Sequence, residues 1–330
     1  MEGEHAINRM YSGTQNAPTP ILQLKNVQKK FGNKIVLNNL SFDIMKGEIF
    51  GLIGRSGAGK TTLLRTLVGH YSADVGEIYY KGENITKNKK LIRTVFGFTT
   101  QDNCFYEELT LLQNLEYFGR MYNISKKEIM HRSEEILKSV ELWEYKNVKS
   151  KHLSGGQQRR LDLSISLIHN PEILILDEPT TGLDPILRKS MWHLIQKINM
   201  SGVTIIMSSH LLDEMELLCH EVVMIRDGTV MIKGRPEVLR SIYSMNQEVT
   251  METYPGKYKI ILNELMKQSI KVFYPHKESN KAVFYTPDAY AAMNILSRLL
   301  SKYGERLIDI NIAKPNLDEV FEGLLRNTKQ

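Results

Sequence analysis

Apolar and polar positions along this chain alternate between two rhythms. From Ile21, the stretches ILQLKNVQKKF and KIVLNNLSFDI follow a period of two, which predicts strands, and Lys46-Gly47 supplies a turn after them. EIFGLIG is short and apolar throughout, as expected of a strand covered on both faces. A glycine-rich segment comes next, then TTLLRTLVGH reads as a helix and GEIYYKGENI as an edge strand pair. From about Leu109 to Leu142 the period lengthens to that of helices (LTLLQNLEYFGRMYN, KKEIMHRSEEILKSVEL). LSGGQQRRLDLSISLIHN opens another helix, EILILDE is a second buried strand, SMWHLIQKIN is helical, VTIIMSSH is a strand, and HEVVMIRDGTVMIKG reads as a hairpin. This order predicts an α/β core over 21–240, with an antiparallel β edge and a helical insertion at about 102–160.

After about Arg240 the pattern changes. Strand, helix, two strands, helix and strand succeed one another from 247 to 314, a βαββαβ order that suggests a small ferredoxin-like α+β unit. A last helix after Pro315 would carry Leu317, Val320, Phe321 and Leu324 on one stripe, and 247–330 together reads as an accessory domain. Residues 1–20 are polar and read as a disordered tail.

Composition narrows the partners. In 330 residues, 43 Lys and Arg against 37 Asp and Glu leave a net charge of +6, a mild excess that suits phosphate ligands or an anionic membrane face without requiring either. Cys104 and Cys219 stand far apart with no metal-spaced partner, which argues against disulfides and zinc and fits a reducing cytosol. No run of about 18 apolar residues occurs and the opening segment lacks the apolar stretch of a secretory signal, so any membrane-spanning helices would come from a partner.

The candidate chemistry begins at Gly54-Arg55-Ser56-Gly57-Ala58-Gly59-Lys60-Thr61-Thr62, which fits G-x-x-x-x-G-K-[ST] between a buried strand and a helix. Glycines let backbone N–H groups turn inward, and the helix N-terminus adds partial positive charge, so a polyphosphate can be cradled. Lys60 would place a cation on the β- and γ-phosphates, and the Thr61 hydroxyl would join a Mg²⁺ shell. The strand Ile173–Leu176 ends in Asp177 and Glu178, at the strand edge where open α/β sheets bind ligands. Asp177 is placed to hold Mg²⁺, and Glu178 to orient or deprotonate an attacking water.

These two features belong to P-loop NTPases generally. Leu153-Ser154-Gly155-Gly156-Gln157, just before the helix leading to Asp177, adds a distinguishing signal. With it, residues 21–240 resemble the ATP-binding-cassette family in order, spacing and identity. The resemblance implies an ATPase using ATP and Mg²⁺, with Ser154, Gly155, Gly156 and Gln157 contacting the nucleotide held by an opposite subunit. It implies further roles at matching positions. Gln101 would touch Mg²⁺ and the water and sense a permease, His210 would contact the γ-phosphate, and Asp184 in Gly182-Leu183-Asp184 would line the dimer interface. Phe31 would stack on adenine. Arg55 and Thr100 stand where the family often has proline, and neither change removes a phosphate or metal contact.

The resemblance implies a homodimer or heterodimer of cassettes driving a separate transmembrane permease from the cytoplasmic face of the membrane. TTGLDP and Pro315-Asn316-Leu317-Asp318-Glu319-Val320-Phe321 resemble the exporter group paired with ABC-2-type permeases. The alternative is a non-transport cassette acting on ribosomes or DNA. The single cassette, the roughly 50 residues between Gln101 and Leu153, and the lack of a Lys/Arg stripe with interleaved aromatics weigh against it, so no nucleic acid is expected.

Overall fold

The computed structural model describes residues 19–243, 247–267, 273–278 and 281–313. These form two compact units: one contains residues up to His210 together with Leu218–Lys233, the other Leu211–Leu217 together with the chain from Gly234 onward.

The first unit holds two sheets. In the antiparallel one, β1 (Leu22–Phe31) lies between β2 (Lys34–Ile44) and β4 (Val75–Tyr80), and β5 (Glu83–Asn84) finishes the edge. In the other, the order is β10-β9-β3-β8-β7-β6, from β3 (Ile49–Ile53), β6 (Phe96–Thr99), β7 (Ile173–Asp177), β8 (Thr204–Ser209), β9 (Glu221–Arg226) and β10 (Thr229–Gly234). The run β9-β3-β8-β7-β6 is parallel. Every residue of β3, β7 and β8 is buried, which is why β3 and the first four residues of β7 are apolar runs rather than alternations, while β8 also buries Thr204, Ser208 and Ser209. Asp227-Gly228 closes the β9–β10 hairpin, both with left-handed φ (48° and 75°), the pairing a two-residue turn needs. One core joins the sheets: Leu24 and Phe42 from the first, Phe50, Ile175 and Ile206 from the second, and Leu63 and Leu64 from helix α1 (Lys60–Leu67) between them.

Helix α2 (Lys89–Val95), capped by the Asn88 side chain, precedes β6 and is absent from the sequence expectation, because seven residues give too few turns for a clear period. The insertion contains α3 (Leu111–Met121), α4 (Lys126–Ser139) and the start of α5 (Gly155–Leu167). Thr110 and Gln113 form a capping box on α3, and Ser125 caps α4. Gly119 lets the two helices approach: a Cβ there would lie 2.7 Å from Ile129 Cγ1. α6 (Pro185–Met200) comes after β7.

In the second unit, α7 (Leu212–Leu218) and α8 (Pro236–Tyr243) precede β11 (Gln247–Tyr254), α9 (Tyr258–Met266), β12 (Phe273–Glu278), β13 (Lys281–Thr286), α10 (Ala289–Tyr303) and β14 (Arg306–Ala313). The sheet order is β12-β13-β11-β14, with every neighbouring pair antiparallel. Val249, Met251 and Phe284 from the sheet pack with Ile261 and Leu265 of α9 and Leu296 and Leu300 of α10. The strand expected at IKVFY overlaps β12 from Phe273. The tail 1–18 and the terminal helix after Pro315 lie outside the described residues.

Candidate nucleotide site

Parallel register assembles the site. Ile53 of β3 pairs with Ser209 of β8, and Ser208 pairs with Asp177 of β7, so three adjacent strands end level at one edge. The segments leaving these strands therefore meet: the phosphate loop after β3, Glu178 after β7 and His210 after β8.

The loop depends on its glycines at particular points. A Cβ on Gly54 would sit 2.5 Å from the Ile225 carbonyl oxygen of neighbouring β9, so only a hydrogen fits. Gly57 and Gly59 take φ of 82° and 108°, a region that glycine enters at no steric cost. Ala58 N donates to Arg55 O at 3.0 Å, closing the turn, and Gly59 is the N-cap of α1, whose first N–H groups have no partner within the helix. Lys60 is only 6% exposed; its Nζ donates to Gly54 O at 2.6 Å and to Arg55 O at 3.4 Å, so the ammonium is folded over the loop. Burial lowers its pKa, opposed by the nearby carboxylates of Glu178 and Asp177.

Asp177 is held from two sides. Its Oδ1 accepts from Ser208 Oγ at 2.6 Å and from Thr61 Oγ1 at 3.2 Å. Glu178 departs from the strand with a left-handed φ of 51°, and its N–H donates to Ser208 O and Oγ at 3.2 and 3.1 Å. A non-glycine residue in that region is costly and persists where the surroundings impose it. The turn directs its carboxylate toward His210, whose Nδ1 is 3.3 Å from Oε2, while Thr181 Oγ1 donates to the same oxygen at 3.0 Å. A cleft of about 660 Å³ is lined by Ser56, Gly57, Gly59, Lys60, Thr61 and Thr62 on one side and by Gln101, Glu178 and His210 facing them.

Of the other sequence candidates, Gly54, Arg55 and Ala58 belong to the loop but do not line the cleft, Arg55 being exposed and the other two buried. Phe31, at the end of β1, is 42% exposed and outside the cleft lining, with its ring edge on Tyr71 (centroids 5.0 Å apart, planes at 81°). Ser154, Gly155, Gly156, Gln157 and Asp184 do not line this cleft either. Ser154 caps α5 in a capping box: Gln157 N donates to Ser154 Oγ at 3.4 Å, and Gln157 Oε1 accepts from Ser154 N at 3.0 Å, so the Gln157 side chain is committed to the helix end. Asp184 Oδ1 accepts from Ile186 N at 2.9 Å and Leu187 N at 3.0 Å, capping α6. Gly156 is small because a Cβ would stand 3.1 Å from Leu187 of α6. At the N-terminus of α5 a Cβ on Gly155 would meet nothing within 4 Å, so this helix end is unobstructed there.

Four supporting side chains were given no role from the sequence: Ser208, Thr181, Arg159 and Asp162. Arg159 Nη1 donates to Thr100 O at 3.3 Å and its Nη2 to Gln101 O, while Asn103 Nδ2 donates to Gln158 Oε1 at 3.0 Å. The fully buried Asp162 accepts from Cys104 N at 3.0 Å and from its Sγ at 3.2 Å. Burial pushes Asp162 up, and burial beside that carboxylate pushes the Cys104 thiol up. The helix that begins at Ser154 therefore grips the segment that carries Gln101.

Two oxygen donors, Thr61 and Asp177, stand 3.2 Å apart beside the loop. Among the described residues no cluster of three His, Cys, Asp or Glu could hold a metal. A hard cation that keeps waters and takes phosphate oxygens fits such a sparse oxygen set, and Mg²⁺ is that kind of ion.

Comparison with known proteins settles the family. The family pattern described as ABC transporter matches residues 37–181. The Nod factor export ATP-binding protein I of Rhizobium sp. (strain N33) is 37% identical over 301 residues, covering 91% of this chain and 95% of that protein. Its counterpart from Sinorhizobium fredii is 33% identical over 304 residues, covering 91% of this chain and 84% of that protein.

The chain belongs to the ABC transporter family.

Within that family it is an ATPase cassette. A dimeric ATP-binding cassette solved in a post-hydrolysis state with ADP and Pi is 29% identical, with a TM-score of 0.58 over 65% of this chain and 98% of that one. ABC transporter G family member 23 of Dictyostelium discoideum is 34% identical over 88% of this chain, which spans 43% of that longer protein. Among the described residues no helix is long and apolar enough to cross a membrane.

Proposed function

We propose that this cassette binds MgATP at the Gly54–Thr62 loop, pairs head to tail with a second cassette around two nucleotides, and uses hydrolysis to drive a separate membrane permease, an exporter, from its cytoplasmic face. The observation that carries the reading is the convergence of Lys60, Thr61, Gln101, Glu178 and His210, from separate segments, around one cleft. The export proteins among the relatives support this reading over action on ribosomes or DNA.

In this mechanism Lys60 and the loop N–H groups grip the β- and γ-phosphates, and catalysis comes mostly from position and charge. Glu178 orients or deprotonates the attacking water, held by Thr181 and His210. His210 also contacts the γ-phosphate. Thr61 and Asp177, with Gln101, would hold Mg²⁺, which neutralises phosphate charge when bound. Phe31 stacks on adenine. Ser154, Gly155 and Gly156 offer their helix end to the γ-phosphate on the opposite cassette, so that ATP favours the closed pair and its loss reopens it. In that arrangement Gln157 and Asp184 act by shaping the two helix ends they cap. We divide the chain into a tail (1–20), a cassette (21–240) and an accessory domain (247–330), and take the β12-β13-β11-β14 sheet with α9 and α10 as ferredoxin-like, since its order and alternation fit that topology.

Heterodimers isolated through a different tag on each chain, free of both homodimers, test the sharing of sites. The heterodimer of Lys60→Ala with Ser154→Ala has one intact site and should keep about half the turnover per dimer if the sites act independently. The heterodimer of wild type with the chain carrying both changes has both sites damaged and should be nearly silent. Equal activity in the two heterodimers, or full activity in Lys60→Ala alone, would overturn the proposal.

A further inference from the structure

Phe31 ends β1 as an exposed ring, and two neighbours fix how it stands. The Lys29 ammonium lies over the ring, 5.4 Å from its centroid. Tyr71 stands almost perpendicular to it, with planes at 81° and centroids 5.0 Å apart. Lys29 is itself held: its Nζ donates to Asp74 Oδ1 at 3.0 Å, and its side chain is only 13% exposed. Asp74, just before β4, also clamps the end of β1. Its N–H donates to Gln28 O at 2.9 Å, and its Oδ2 accepts from Lys30 N at 2.6 Å. That clamp needs only the backbone and carboxylate of Asp74. An ion pair whose carboxylate is as open to water as this one contributes little to stability, so the ammonium is not explained by the clamp. What Lys29 adds is a cation fixed against an exposed aromatic ring.

We propose that Lys29 is a positioning residue for the nucleotide base: it backs the Phe31 ring, so that adenine stacks on the face the ammonium leaves free, in a sandwich of cation, ring and base. The proposal rests on the reading that Phe31 stacks on adenine, and adds the residue that gives the stack its side and part of its strength. The faces of two aromatic systems both carry negative charge, which works against stacking them. A cation on the far face of one ring offsets that repulsion, and the gain is largest for an electron-rich base such as adenine. Lys29 and Tyr71 together hold the tilt of the ring before nucleotide arrives, so little order remains to be imposed on binding. Asp74 acts through Lys29, by keeping a long side chain in the one position where its charge meets the ring.

The test is equilibrium binding of MgATP and of magnesium tripolyphosphate, which offers the phosphate chain without a base, to the full chain. Lys29→Met keeps the length of the side chain and removes its charge. It should weaken ATP by about 2–30-fold, the span of a cation–ring contact, and leave tripolyphosphate unchanged. Lys29→Arg keeps a cation over the ring and should bind ATP as wild type does. Asp74→Asn, whose amide oxygen can still accept from Lys30 N, should weaken ATP in the same direction by less. In a Phe31→Ala background, Lys29→Met should cost nothing further, because the ring through which it acts is gone. Equal losses for ATP and tripolyphosphate would make Lys29 a structural residue and overturn the proposal, as would unchanged ATP binding in Lys29→Met or a full additional loss in the Phe31→Ala background. The parent reading is judged separately: if Phe31→Ala weakens ATP and Lys29→Met does not, only the role of Lys29 falls; if Phe31→Ala leaves ATP binding unchanged, the adenine reading falls.

Discussion

His210 Nδ1 lies 3.3 Å from Oε2 of Glu178, and Thr181 donates its hydroxyl to the same oxygen at 3.0 Å. The carboxylate proposed to act on water is thus fixed by one residue at the end of β8 and another just past β7, despite sitting on a left-handed backbone.

Glu178→Gln should keep nucleotide binding and lose turnover by about 10²–10⁴-fold, the range for removing a general base. ATP should then accumulate a closed dimer, seen as a shift in size-exclusion elution. A variant with near-normal phosphate release would remove Glu178 from that role. Thr181→Val should cost less, about tenfold in kcat with KM little changed, because it loosens the carboxylate without removing it.

Gly54→Ala tests the loop's packing. The added methyl would need the Ile225 carbonyl to move from 2.5 Å, displacing β9 beside the phosphate loop. We expect a loss of about 1–3 kcal/mol in denaturant unfolding, as in other overpacked sites, together with weaker ATP binding. Gly155→Ala, where a Cβ meets nothing within 4 Å, is the control and should unfold like wild type.

Phe31→Ala should weaken binding of a fluorescent ATP analogue by about 5–150-fold if the ring carries a base-stacking energy of about 1–3 kcal/mol. Tyr71→Ala, which removes the ring held edge-on against Phe31, should weaken it in the same direction by less. Unchanged titration curves for Phe31→Ala would move the adenine elsewhere.

Glu48, at the entrance to β3, gives a pH signature. Burial, with a smaller push from Glu221, raises its carboxyl from 4.5 to about 7, against the hydrogen bond from Met45 N and the attraction of Lys233. The folded chain therefore holds a proton that the unfolded chain releases, so this contribution is full below about pH 4.5 and is lost as pH rises through 7. Glu48→Gln should leave Tm unchanged near pH 4.5 and raise it at pH 8.5 by about 2–4 °C, after discounting the shift to about 1 kcal/mol for partial exposure. Thermal scans at the two pH values decide it; an equal shift at both would assign the effect to packing.

The fold was legible where one local rule sufficed. Continuous apolar runs marked β3 and β7 because parallel strands are covered on both faces, and HEVVMIRDGTVMIKG read as the β9–β10 hairpin, whose turn Asp227-Gly228 takes two left-handed φ values. The phosphate loop was legible because its geometry demands glycine at fixed steps. Helix α2 escaped because seven residues show hardly two turns. Ser208, Thr181, Arg159 and Asp162 escaped because serine, threonine, arginine and aspartate occur on any surface, and each matters here through partners that only folding supplies.

By itself the sequence determined the elements and the chemistry each could bear: a loop for phosphate, a strand ending in two carboxylates, a histidine after another strand, a capped helix with two glycines. Those properties are set by neighbours along the chain. Which of them meet was decided by the parallel register of β3, β8 and β7, which brings Lys60, Asp177, Glu178 and His210 to one edge, with Ser154 outside the lining of the cleft. Register depends on hydrogen bonds between strands that lie far apart along the chain, and no local spacing encodes them.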